Sequence, residues 1–312
     1  MSSHLGEIIS LVVAVSWTFS AWFADKASRR IGSMVTNVIR LVLATLFLGL
    51  LLWVTTGRPY PAFASGKAWL WLSLSALVGY VFGDFCLFNC YIAIGPRFGQ
   101  LLMTLAPPSA ALAGWLILGE ALSWKSGLAM LVTLAGIAIS ILTKGKDSHI
   151  HLSLPLKGIL LGIGAGVGQG VGLVLSKVGM GYYAEALPAG VPDGVAGMLP
   201  FSSTMIRAIV GGVGFFIFLL LQKGLGDLER GIKDRQGMKY ACLLTVFGPA
   251  LGVSLSLMAV RYANAGIAST LMALTPVLIL LPDALINKHV IKAKEILGVL
   301  VCMTGVAMFF LL

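Results

Sequence analysis

The sequence predicts an all-α integral membrane protein of ten transmembrane helices arranged as two inverted five-helix repeats. Three observations carry that expectation: scarce charge, apolar runs long enough to cross a bilayer, and self-similarity between the two halves of the chain. Of 312 residues, 58% are hydrophobic and only 11% are Asp, Glu, Lys or Arg, against roughly 25% charged in an ordinary soluble protein. The net charge of +10 would point to nucleic acid in a soluble protein. Here too little polar surface exists to carry such a patch, so no nucleic-acid partner is expected.

The apolar residues fall in runs of about 20, the length that crosses a roughly 30 Å hydrocarbon core. Read between polar breaks, they give spans at 5–24, 33–55, 68–92, 97–119, 124–143, 156–178, 199–221, 238–260, 264–287 and 295–312. Continuous stretches such as Leu41 to Val54 do not alternate, which excludes a membrane barrel. The first run is read as a retained span, because no Lys or Arg precedes it and it is too long for a signal-peptide core.

With an even number of spans, both termini lie on one side. The loops on that side carry five basic residues and those opposite carry fifteen, while Arg40 and Arg207 lie inside spans two and seven. By the positive-inside rule the fifteen-charge side is cytoplasmic and the termini are outside. Cys86, Cys90, Cys242 and Cys302 all fall within spans and read as packing residues. Neither the Cys86–Cys90 pair nor His149 with His151 has further ligands nearby, so no metal and no cofactor is expected.

A shift of 169 residues places Phe98 to Pro107 on Ile267 to Pro276 without a gap, and pairs Gly79 with Gly248, Gly83 with Gly252 and Gly136 with Gly305. Ile39-Arg40 corresponds to Ile206-Arg207 at a shift of 167, and Gly6 to Gly158 at 152; the difference is an insertion around Tyr182 to Val195. The repeats then occupy residues 1–146 and 154–312, forming one transmembrane domain. Five spans is an odd number, so the second half enters from the opposite face. That is the architecture of many secondary transporters, with substrate held near the midplane and broken helices marking the site. Pro107, Pro108 and Pro276, near the middle of spans four and nine, are the candidate helix breaks. A kink serving packing alone is the other reading.

Charged side chains in the membrane each need a physical account, at a cost of at least about 2.5 to 3.5 kcal/mol at its centre. Arg40 and Arg207 each lie about two turns into their spans, near opposite faces under inverted topology. They either bind substrate carboxylates, close alternate gates by pairing with acids, or snorkel to the headgroups. Asp84 is the deepest acid, with Asn89 further along; it is a candidate carrier of a coupling proton or the partner of an arginine. Glu120 ends span four and reads as a structural or gating residue. The remaining candidate lining of a central cavity is Trp17, Ser20, Gln100, Met103, Gln169 and Ser269, which suits a modest organic molecule with a few hydrogen-bonding groups.

The glycines from Gly162 to Gly172 lack the spacing of a nucleotide-binding loop. Gly158, Gly162, Gly166 and Gly170 instead form a four-residue ladder that admits another helix closely. The charged stretch from Gln222 to Lys239 reads as a solvated cytoplasmic connection, and the insertion as a cap on the opposite vestibule.

Trp17 early in span one, Arg40 with its echo Arg207, and Gly-Glu closing span four in LILGEALS together make the chain resemble the drug/metabolite transporter superfamily, in particular its EamA-like members. The resemblance spans essentially the whole chain. It implies a secondary carrier, often an exporter of amino acids or other small metabolites, residing in the cell membrane. Three features depart from that pattern. His289 stands where Glu120 falls in the first half, the loop after span six is long, and the resemblance implies cytoplasmic termini against the charge count. A membrane-embedded enzyme is the alternative from another class, but no HExxH, GxSxG or paired-acid motif occurs within the spans. A channel is disfavoured because no filter sequence or charged constriction recurs.

Overall fold

The computed structural model describes residues 4–141, 155–278 and 293–311. His149, His151 and His289 lie outside them. All regular structure among the described residues is helical. Among them seven helices are long and apolar enough to cross a membrane. They are α1 (Leu5–Ile31), α2 (Ser33–Thr56), α3 (Gly66–Gly95), α4 (Phe98–Leu118), α6 (Leu156–Glu185), α8 (Leu199–Leu221) and α10 (Arg235–Tyr262). Two shorter apolar helices accompany them, α5 (Trp124–Ile141) and α13 (Ala293–Leu311). Between α10 and α13 the described residues form two pieces, α11 (Ala265–Met272) and α12 (Thr275–Leu278). The insertion ends in a short helix, α7 (Asp193–Gly197), and the charged stretch after α8 contains α9 (Leu225–Lys233).

Large apolar side chains point outward along these helices, including Val54, Leu70, Leu116 and Leu131, each more than half exposed. Such a surface is untenable in water and ordinary against lipid. Inside the bundle small residues set the spacing. Cys242 is exposed, so it is not the buried packing residue expected from its place in an apolar run; helix α10 turns that face outward.

Two helices contain a widened π segment, and the two segments correspond: Leu77–Asp84 in α3 and Val246–Val253 in α10, again 169 residues apart. Each holds two glycines, and the second also holds Pro249, which has no N–H for the helical ladder. The interruptions near the prolines correspond as well. A 3₁₀ turn at Met103–Leu105 precedes the helical piece Ala106–Leu118, while α11 ends at Met272 and α12 begins at Thr275. Pro107 and Pro108 occupy the first turn of their piece rather than its middle. There a missing N–H costs nothing, so the break lies one turn earlier than the prolines suggested.

The same shifts govern packing between the halves. A Cβ on Gly83 would approach Gln169, and one on Gly252 would meet Trp17; Trp17 and Gln169 are themselves 152 apart. Likewise Gly79 faces Gly172 while Gly248 faces Ser20, and Gly6 faces Ala263 while Gly158 faces Ile94. In α5 and α13, Gly136 packs on Cys302 and Gly305 packs on Thr133. Each contact is the counterpart of the other, which is the signature of a two-fold relation. Helix α3 therefore packs on α6, and α10 on α1, across the halves.

Candidate functional site

Two adjoining cavities lie where these helices converge. Trp17, Tyr80, Gln100, Met103, Gln169, Val253 and Thr275 line both. Arg207, Ser256 and Ser269 belong to the first, and Ser20, Arg40 and Asp84 to the second.

Asp84 is the hub of the second cavity. The Arg40 guanidinium donates to one carboxylate oxygen, and Gln169 Nε2 donates to the other at 2.6 Å and to the Gly79 carbonyl at 3.0 Å. Arg40 Nε also donates to Asn37 Oδ1 at 2.8 Å. The π segment explains why Gln169 reaches a backbone carbonyl there, since the widened turn displaces that group from the ordinary ladder. Gln100 donates to the Tyr91 hydroxyl, joining α4 to α3.

Arg40 and Arg207 are 4% and 3% exposed, and neither snorkels to a headgroup. Both guanidinium groups lie over one ring, that of Tyr80, at 5.5 Å and 4.5 Å from its centroid. Tyr80 occupies the π segment at the middle of α3, so each arginine extends inward from its own end. Among the described residues Arg207 makes no ion pair, and its Nε is buried without a hydrogen-bond partner.

Two expected residues lie elsewhere. Asn89 does not line either cavity; its amide donates to the Phe85 carbonyl at 2.7 Å and its oxygen accepts from Ser33. Glu120 pairs with Lys177 at 2.5 Å and accepts from the Ala265 backbone N–H at 3.0 Å, while Lys177 donates to the Ala263 carbonyl at 2.8 Å. This cluster ties α4, α6 and the start of α11 together at the terminus-side end of the bundle. At the other end Arg30 pairs with Asp234 at 2.7 Å, and Arg29 donates to the Tyr91 carbonyl at 3.1 Å.

Tyr80, Thr104, Ser256 and Thr275 line the site without having stood out in the sequence. A tyrosine or hydroxyl residue in an apolar helix is ordinary, and only the repeat register could have drawn attention to the segments that hold Tyr80 and Ser256. Among the described residues no group of three potential metal ligands occurs.

A lipid-facing helical bundle with interrupted, paired helices around a polar chamber defines a multi-pass membrane protein of the transporter class. The model of the EamA-like transporter family matches twice, over residues 4–142 and 156–311. The chain belongs to that family, whose members are membrane transporters of small molecules. A comparison with curated proteins finds no match. Of 27 solved chains that match, one, described only as a crystal structure of a protein, is 15% identical with a TM-score of 0.69. The alignment covers 98% of this chain and 96% of that one, and shows the fold alone.

Proposed function

We propose that the protein is a ten-span secondary carrier of the cell membrane, built of inverted repeats over residues 1–146 and 154–312. It moves a small organic metabolite, outward in the physiological direction, by alternating access. The observation that carries this reading is the pair of cavities between helices of both halves, apolar in the main with a few charged and amide side chains, with interrupted helices from corresponding places at their wall. The reciprocal packing of Gly136 and Gly305 supports the pseudo-two-fold that alternating access requires. Glu120–Lys177 and Arg30–Asp234 are suited to close opposite ends in turn.

A proton is the coupling ion we assign, with Asp84 as its carrier. Its protonation would release Arg40 and free one wall of the chamber to move. On this reading Asp84→Asn abolishes the pH-dependence of uptake into proteoliposomes, and unchanged pH-dependence removes the assignment.

The carrier itself is tested with single cysteines at Ser20 and Ser269 in a cysteine-free background. A membrane-impermeant thiol reagent applied to oriented vesicles is expected to modify each from either side. Modification from one side alone, for both positions, sinks alternating access.

A further inference from the structure

Resting on the carrier reading, we infer that the chamber recognises a monovalent carboxylate through Arg207. The starting point is a charge imbalance. Arg40 and Asp84 neutralise each other in an ion pair, whereas Arg207 lines the chamber 3% exposed with no ion pair among the described residues. Its Nε is fully enclosed and finds no acceptor among the described residues. A buried cation with an enclosed, unused donor is disfavoured unless something else pairs with it. Among the described residues the lining thus carries one net positive charge, which fits one anionic group.

The geometry selects the kind of anion. The Arg207 guanidinium lies over the Tyr80 ring at 4.5 Å, a contact that occupies its flat face. Its edge keeps the planar fork of donors that matches the two oxygens of a carboxylate. A Cβ on Gly79 would come within 2.9 Å of Arg207 Nη2, so the glycine is what admits the guanidinium beside the π segment. Trp17, Leu173 and Met272 supply an apolar wall for the rest of the molecule, with the Ser269 hydroxyl beside it; the Thr104 and Ser256 hydroxyls also line it but donate to the Leu101 and Val253 carbonyls. The ligand class is a small monocarboxylic acid with an apolar body.

The test uses the full chain purified in detergent and a set of monocarboxylates: acetate to hexanoate, lactate and 3-phenylpropionate, each paired with its primary amide. Binding is read from ligand-induced shifts in thermal unfolding. At least one acid is expected to bind wild type about ten- to a hundred-fold more tightly than its amide, the range of a charge-assisted contact. Arg207→Met should bring that ratio close to one, and Arg207→Lys, which keeps the charge without the fork, should leave an intermediate ratio. Without ligand, Arg207→Met should unfold at a higher temperature than wild type, because an uncompensated buried charge has been removed; a purely structural arginine gives the opposite sign. Equal binding of acids and amides, no response to any acid, a preference for inorganic phosphate, an unchanged ratio in Arg207→Met, or its lower stability each overturns the assignment. Two-sided cysteine modification uses no carboxylate, so the carrier reading can stand when this site fails. Acid binding with one-sided modification would leave the site and remove the carrier.

Discussion

Arg40 and Asp84 make one unit, and its energetics follow from burial. The carboxylate has both oxygens engaged, by Arg40 and by Gln169. Removing one member of a buried pair leaves the other uncompensated, at a cost of about 3–5 kcal/mol. Arg40→Met is therefore expected to lower thermal stability markedly, whereas the double replacement Arg40→Met with Asp84→Leu should recover most of the loss. Equal destabilisation by the single and double variants would show that the pair is not the source. The three charges, Arg40, Asp84 and Arg207, stood out in the sequence because charge is expensive in a membrane. The meeting of the two arginines at Tyr80 did not, since inverted topology places them near opposite ends and says nothing of how far each side chain extends inward.

At the scale of the element, the π segments and glycine contacts decide which substitutions matter. In an ordinary helix Gly→Ala is favourable by up to about 1 kcal/mol. At Gly172 an added Cβ would lie 2.8 Å from the Gly79 Cα, and backbone cannot yield as a side chain end can. Gly172→Ala is expected to destabilise by about 1–3 kcal/mol, read from thermal unfolding. Gly181, in the same helix with open space around it, should tolerate alanine without loss. The glycine ladder of α6 was legible as a close-packing face, and Gly158, Gly162, Gly166 and Gly170 do meet α3 and α4. The two π segments were not legible, because their apolar periodicity differs too little from that of an α-helix. The position of the breaks was legible only to within a turn, since proline favours the first turn of a helix as well as a kink.

Across the whole molecule, surface charge separates the two ends. Asp234 accepts from the Arg30 guanidinium and from the backbone N–H groups of Gly237 and Gln236, and these contacts hold its carboxyl below the usual range. A depressed folded-state value means that the contribution is fully present above the unfolded carboxylate range, near about 3.9. It is lost as the pH falls through the folded value. Wild type should therefore lose more stability on acidification below about pH 4 than Asp234→Asn, measured by thermal unfolding across that window. Equal acid profiles would contradict the contact. The positive-inside rule predicts that the end carrying the basic loops is cytoplasmic. An impermeant reagent is then expected to modify a cysteine placed in α9 only from the cytoplasmic face; modification from outside would invert the orientation.

What the sequence determined alone was the solvent and the symmetry. Long apolar runs with few charges can satisfy their backbone in lipid only as helices, and the shifts of 169, 167 and 152 already record which residues occupy equivalent places. The tertiary structure decided what those equivalent residues touch. Trp17 and Gln169 face Gly252 and Gly83 across the halves, Arg40 finds Asp84, and Arg207 is left facing the chamber. Such outcomes depend on side-chain reach and helix crossing, which vary continuously with packing. Chain periodicity records only which face of a helix a residue occupies, so the pairing of charges could be read only once the helices were in contact.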